Sequence, residues 1–287
     1  MENILEVKNL CKSYDSFSLK DVNFSLKKGS ILGLIGENGA GKSTTIKGML
    51  NLLNDTTGKV FIFGKDMRNS EIEIKKDIGV ILDEGFFSEY LKITDIPQTM
   101  KYIFENWDEA LFFHYLEEFK LPKEKTIKEL SSGMKMKLKI ITVLSHHPKL
   151  LVLDEPTTGL DPVARNEVLD IFEDFVQDSD NAILLSTHIT SDLEKIADEV
   201  VFMSNGEVLF QKETNMIKQF GLIKCSAEEL SIIAEDDYLK RKSHRHETVL
   251  LVENLEKFQE KYPTLHAQRA SLEDIMVLYI RDEKMNQ

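Results

Sequence analysis

Eight residues constrain this chain more than any other stretch. "GENGAGKS", Gly36 to Ser43, follows the apolar run "ILGLIG" and precedes a segment, about 42 to 53, that reads as a helix. It fits the pattern G-x-x-x-x-G-K-S in the strand–loop–helix context that the pattern requires. Glycines let such a loop turn so that successive backbone N–H groups face one centre, and the following helix adds the positive end of its dipole. The result is a cradle for phosphate. Gly36, Asn38, Gly39, Ala40 and Gly41 form the loop. Lys42 can reach the β- and γ-phosphates of a nucleotide, the Ser43 hydroxyl can hold Mg²⁺, and Thr44 adds an α-phosphate contact. A plain glycine turn does not account for all eight positions.

Around this loop the chain alternates. After "LLVLDE" come "PVARNEVLDIFEDFV", "NAILLSTH", "TSDLEKIADEV" and "VVFMSNGEVLF", an order of strands and helices that predicts a parallel sheet with crossover helices. The first residues read as strands: "ILEVKNL", then "LKDVNFSLKKG", where Val22, Phe24 and Leu26 alternate, then "GKVFIFGKD" and "IGVIL". From about 92 to 146 the period changes to helical, with Pro97 near a helix start, which suggests an inserted helical subdomain. From about 216 onward a strand, "TVLLVE", and two helices, "NLEKFQEKYP" and "SLEDIMVLYIRDE", suggest a small appended domain with a modest core of its own. The basic run "KRKSHRH", Lys240 to His246, precedes that strand; the ordinary reading is a solvated hairpin and the sharper one an anion site.

Composition narrows the function classes. Forty-nine acidic residues against 36 basic give a net charge of −13, which disfavours a nucleic-acid partner. No apolar stretch approaches the roughly 18 residues that span a bilayer, and "MENILEVKNLCKSY" does not have the pattern of a signal peptide. Cys11 and Cys225 stand far apart, so neither a disulfide framework nor a zinc site is expected, and a reducing cytosol is.

Two apolar runs end in paired carboxylates: "ILDE", with Asp83 and Glu84, and "LLVLDE", with Asp154 and Glu155. Before the second lies "LSSGMKMK", where Ser131 and Gly133 open a helix; after it lie "PTTGLD", with Asp161, and "STH", with His188. Singly these are weak, since a serine cap explains the first. In this order and spacing, residues 1 to about 215 resemble the ATP-binding cassette (ABC) ATPases.

The resemblance implies an α/β fold: a P-loop NTPase core with a RecA-like parallel sheet and an antiparallel β subdomain over 1–215, a helical subdomain over about 85–147, and a C-terminal α+β accessory domain over 216–287. It implies ATP and Mg²⁺ as cofactors. Asp154 would hold Mg²⁺ through water, Glu155 would polarise the attacking water, and His188 would contact the γ-phosphate beside Lys42. Asp161 would communicate across a dimer, homodimeric or with a paralogue. Ser131 and Gly133 would contact the ATP of the second ATP-binding domain in a sandwich. Tyr14 matches the aromatic that stacks on adenine, although by itself it is an unremarkable strand tyrosine.

Asp83 falls where most relatives carry a glutamine that touches Mg²⁺ and the attacking water. An aspartate there could still bind Mg²⁺ through water but could not donate a hydrogen bond. Glu84 is a second candidate; the competing reading makes both solvated loop carboxylates. Ser132 and Met134 also replace a common glycine and glutamine. The cassette, the "LDE" and the "SLEDIMVLYIR" segment are similar to ATP-binding subunits of Gram-positive-type exporters of antimicrobial or amphipathic peptides. Those work with a separate integral membrane (ABC-2-type) subunit, at the cytoplasmic face of the membrane. The rival class is a soluble ABC ATPase acting on ribosomes or DNA, whose tandem cassettes, coiled-coil insertions or basic extensions are not visible here.

Overall fold

The fully apolar runs of the sequence lie side by side in one mixed sheet. The computed structural model describes residues 2–82, 87–243 and 247–282; Asp83, Glu84 and the 244–246 end of the basic run lie outside them. The chain begins with β1 (Asn3–Ser13), β2 (Ser18–Lys27), β3 (Ile31–Ile35), α1 (Lys42–Met49), β4 (Thr57–Ile62), β5 (Lys65–Asp66), α2 (Glu71–Lys76) and β6 (Ile78–Ile81). Helices α3 (Ile96–Ile103), α4 (Glu109–Glu118) and α5 (Ser132–Leu144) follow. Then come β7 (Leu150–Asp154), α6 (Pro162–Phe175), β8 (Ala182–Thr187), α7 (Thr190–Ile196), β9 (Glu199–Ser204) and β10 (Glu207–Glu213). The remainder is α8 (Thr214–Ile217), β11 (Gly221–Cys225), α9 (Ala227–Leu230), β12 (Lys240–Ser243), β13 (Thr248–Val252), α10 (Leu255–Lys261), β14 (His266–Arg269) and α11 (Leu272–Asp282).

The central sheet has the order β10-β9-β3-β8-β7-β6, and β9 through β6 run parallel. Every residue of β3, β7 and β8 is buried, as expected where helices cover both faces of a parallel sheet. Strand β8 lies between β3 and β7. The carboxyl ends of these three neighbours therefore form one edge, the edge at which such sheets hold ligands. The sequence reads "VVFMSNGEVLF" as a single strand, but the chain reverses at Asn205–Gly206, both at positive φ, and β10 returns antiparallel to β9. An Asn-Gly pair is the strongest short hairpin signal. A second sheet, β2-β1-β4-β5, is antiparallel. In β2 the alternation puts Val22, Phe24 and Leu26 inside while Lys20 and Asn23 face out.

The helical stretch forms its own apolar cluster around Ile93, Phe112, Leu116 and Leu138. The expected helix from Pro97 is interrupted at Phe104, so α3 and α4 are separate, with Asp108 capping α4 through Leu111 N–H at 2.8 Å.

The third sheet, β12-β13-β11-β14, is antiparallel. The basic run begins as a strand of this sheet, since Lys240–Ser243 pairs with β13. One face of the sheet covers a small core of Ile223, Leu250, Val252 and Phe258. Residues of the other face, Leu222 and Leu251, join Leu272, Ile275 and Leu278 of α11 in the same cluster as Ile196, Val200 and Phe202 of the central sheet and its helices. Glu194 of α7 accepts the Leu272 N–H at 2.7 Å, fastening the start of α11 to α7.

Candidate active site

Strand β3 ends at Ile35 and hands the chain to the phosphate loop. Gly41 sits at φ 107°, a conformation that a side chain resists, and a Cβ there would meet Leu19 Cδ2 at 2.7 Å. Helix α1 starts at Lys42 with no side-chain cap; the first intrahelical bond runs from Thr45 N–H to Gly41 O at 2.8 Å. The N–H groups of the first turn are therefore presented to a ligand, in line with the helix dipole. Ser43 is exposed and Thr44 half-buried at this end, as are the exposed Asn38 and Gly39, whereas Ala40 is buried against the core.

Lys42 is 6% exposed. Its Nζ donates to Gly36 O at 2.8 Å and lies 3.6 Å from Glu155 Oε1. Glu155, one residue past β7, has φ 51°, a strained setting for a residue other than glycine. Its environment holds it there: its N–H donates to Ser186 O at 3.0 Å, and Thr158 Oγ1 donates to Oε2 at 2.9 Å. Glu155 Oε2 also lies 2.8 Å from His188 Nδ1. Asp154 is buried, and its Oδ1 accepts from the Ser186 hydroxyl; its second oxygen makes no hydrogen bond among the described residues.

So the structure gathers Lys42, Asp154, Glu155 and His188 at one sheet edge, where β3, β7 and β8 end. The sequence singles out all four. It misses Ser186, although "STH" places this residue in register beside Asp154, and it misses Thr158.

Ser131 and Asp161 are elsewhere. Ser131 caps α5, accepting from Met134 N–H at 3.3 Å, and Asp161 caps α6, accepting from Val163 and Ala164 N–H at 3.0 and 3.1 Å. Gly133 lies so close to α6 that a Cβ would stand 2.9 Å from Ala164 Cβ, and Ser132 Oγ donates to Gly159 O at 3.3 Å. These residues form a surface shared by α5 and α6, and no hydrogen bond joins it to Lys42 or His188 among the described residues. Tyr14 follows the end of β1, exposed, with Lys12 Nζ 5.1 Å from its ring centre.

A second feature is an apolar groove of about 510 Å³ between the central sheet and the helical subdomain, lined by Leu50, Ile72, Val80, Ile103, Phe104 and His146. His146 is buried, stacked on Phe104 with ring centres 3.9 Å apart, and its Nε2 lies 3.2 Å from Ile78 O. Its Nδ1 has no hydrogen-bond partner among the described residues. Burial lowers the pKa of this imidazole to about 4, against the opposing pull of the Ile78 carbonyl.

The sequence profile of the family described as ABC transporter matches residues 19–158. The chain is 35% identical over 213 residues to the bacitracin transport ATP-binding protein BcrA of Bacillus licheniformis, covering 73% of this chain and 69% of that one. It is 34% identical over 216 residues to the lantibiotic transport ATP-binding protein SrtF of Streptococcus pyogenes, covering 73% and 91%. Among solved structures, the ATP-binding subunit of an ABC transporter superposes with a TM-score of 0.67 at 30% identity, over 75% of this chain and 92% of that one.

Proposed function

This chain belongs to the ABC transporter family, as an ATP-binding subunit, and from that premise we propose that it drives export of antimicrobial or amphipathic peptides through a separate membrane subunit. The observation that carries the ATPase reading is the convergence of Lys42, Asp154, Glu155 and His188 beside an uncapped helix start. The peptide substrate rests on the two relatives, whose names specify bacitracin and lantibiotic transport. No helix among the described residues is long and apolar enough to cross a membrane, which supports a membrane path supplied by another chain, of the small ABC-2 type.

In this reading the loop N–H groups and Lys42 bind the phosphates. Glu155 takes a proton as water attacks the γ-phosphorus, and the bond to the β–γ bridging oxygen breaks. His188, held on Glu155, keeps water and γ-phosphate in line. Ser43 and Asp154 would hold Mg²⁺. No three His, Cys, Asp or Glu side chains gather around a metal site among the described residues, so a hard cation here would draw its other oxygen ligands from phosphate and water. When bound it supplies charge neutralisation on the phosphates.

Ser131 and Gly133, on a surface apart from Lys42, would reach the ATP of a second ATP-binding domain. Ser131 Oγ accepts one bond as a helix cap and keeps its proton to donate. Asp161 stands next to them at the start of α6. Tyr14 would stack on adenine, and Asp83, outside the described residues, is the proposed Mg²⁺-water contact at the head of the helical subdomain. The apolar groove between the core and that subdomain is the surface on which the membrane subunit would dock, placing the chain at the inner face of the membrane.

Affinity purification of the tagged full chain from detergent-solubilised membranes tests this. The expected result is a small integral membrane protein that co-purifies and raises ATP turnover. Fractionation with ribosomes or DNA instead would overturn it.

A further inference from the structure

A buried carboxylate away from the phosphate loop ties the catalytic segments together. Asp192 lies on α7, four residues past His188, and is 2% exposed. Its Oδ2 accepts from Thr157 Oγ1 at 2.6 Å, and its Oδ1 from Arg165 Nε at 2.5 Å. Thr157, itself buried, comes two residues after Glu155. Arg165 stands on α6, four residues after Asp161, and its guanidinium also donates to Ser191 Oγ at 3.1 Å. One carboxylate therefore joins the segments that carry Glu155, Asp161 and His188.

The ordinary reading is a clamp that packs α6 on α7. Apolar side chains would do that without the cost of desolvating a charge. What the carboxylate adds is direction. Glu155 sits at a strained φ of 51°, and a loop beginning with a strained residue relaxes unless something beyond it is fixed. The Thr157 bond fixes the loop two residues on, and the Arg165 bond sets α6 against α7. His188 enters from the other side, immediately before α7. The 2.8 Å contact between Glu155 and His188 thus has its two backbones referenced to one carboxylate.

We infer that Asp192, with Arg165 and Thr157, is a positioning residue for hydrolysis, holding Glu155 and His188 in register. The inference rests on the reading of Glu155 as the base. The phosphate loop is built on β3 and α1, which the Asp192 bonds do not reach, so the network governs turnover and leaves ATP binding alone.

The test compares Thr157→Val, which removes the hydroxyl at nearly constant volume, with Thr157→Ser, which keeps it. The full chain is assayed for kcat and KM for ATP, with thermal unfolding in parallel. The valine variant is expected to lose about 10- to 100-fold in kcat, the scale of a small misplacement of catalytic groups, at unchanged KM. The serine variant restores most of that loss. If the valine protein does not fold, Arg165→Gln reads the same network from α6, with the same fall in kcat at constant KM.

Undiminished kcat in the valine variant, equal losses in valine and serine, or a loss that appears in KM would overturn the inference. Glu155→Gln in the same series separates the two readings. If it loses turnover while Thr157→Val keeps it, only the positioning role fails. If Glu155→Gln keeps turnover, the assignment of the base fails.

Discussion

Two buried polar side chains mark two seams of this molecule, and they are treated differently. Asp192, at the seam between α6 and α7 behind the edge that carries Glu155 and His188, has both oxygens paired, one to Arg165 and one to Thr157. His146, at the seam between the central sheet and the helices α3–α5, has Nε2 on Ile78 O and no partner for Nδ1 among the described residues. A fully satisfied charge in a low-dielectric interior fixes one arrangement, because every displacement leaves a partner unpaired. A half-satisfied neutral ring stacked on Phe104 holds its seam by contact area and one hydrogen bond. The first seam is held in one register by its hydrogen bonds, the second mainly by packing.

The comparison is most exposed at Asp192. Asp192→Ala should destabilise the chain by about 3 kcal/mol, because it leaves the partly buried Arg165 guanidinium without its anionic partner and Thr157 without its acceptor; urea unfolding at neutral pH measures it. A cost below that of an ordinary surface substitution would remove the contrast between the seams.

Acid should act at the other seam. The unfolded chain protonates His146 near its ordinary 6.5, whereas the folded chain resists to about 4. The unfolded state then binds more protons, so stability is intact above pH 6.5, falls as pH falls, and is fully lost from this group below about 4. Between pH 7 and pH 5 the expected loss is about 2 kcal/mol. Comparing unfolding of the unaltered protein and of His146→Leu at both pH values isolates it; parallel pH dependence in the two would contradict the assignment.

The smallest effect is that of His146→Leu at neutral pH. Losing the bond to Ile78 O costs about 1 kcal/mol, and removing an unpaired buried nitrogen returns a similar amount. Stability near that of the unaltered protein is expected, so the two seams should differ most clearly when each polar group is deleted.

The residues that were legible in the sequence are those whose partners lie within one short segment. The phosphate loop carries its strand, glycines, lysine and helix start in consecutive positions, and "LLVLDE" and "STH" each end a buried strand whose neighbours follow from parallel-sheet topology. Ser131 reads as a helix start because capping is local, whereas the capping of α6 by Asp161 was not read from the sequence. Asp192, Arg165 and Thr157 were invisible as a group: they are spread over 36 positions, and nothing local to any of them announces the others. Arg165 and Asp192 each stand one helical turn past a motif residue, the one trace the sequence offers. His146 is one of two adjacent histidines just past the end of α5, and only its packing against Phe104 and its contact with Ile78 O distinguish it. Strands β11 and β14 were missed because they are short and weakly marked: β11 opens on Gly221, and in β14 only Ala267 is apolar. The turn at Asn205–Gly206 was written plainly but read through.

The central claim is that Glu155 is the group that activates water on a chain whose phosphate loop binds ATP independently of it. It is tested most directly by measuring phosphate release and ATP binding on the same preparation of the Glu155→Gln full chain. The account predicts turnover lower by about 10²- to 10⁴-fold, the range for loss of a general base, with ATP affinity retained. Turnover equal to that of the unaltered protein would contradict it.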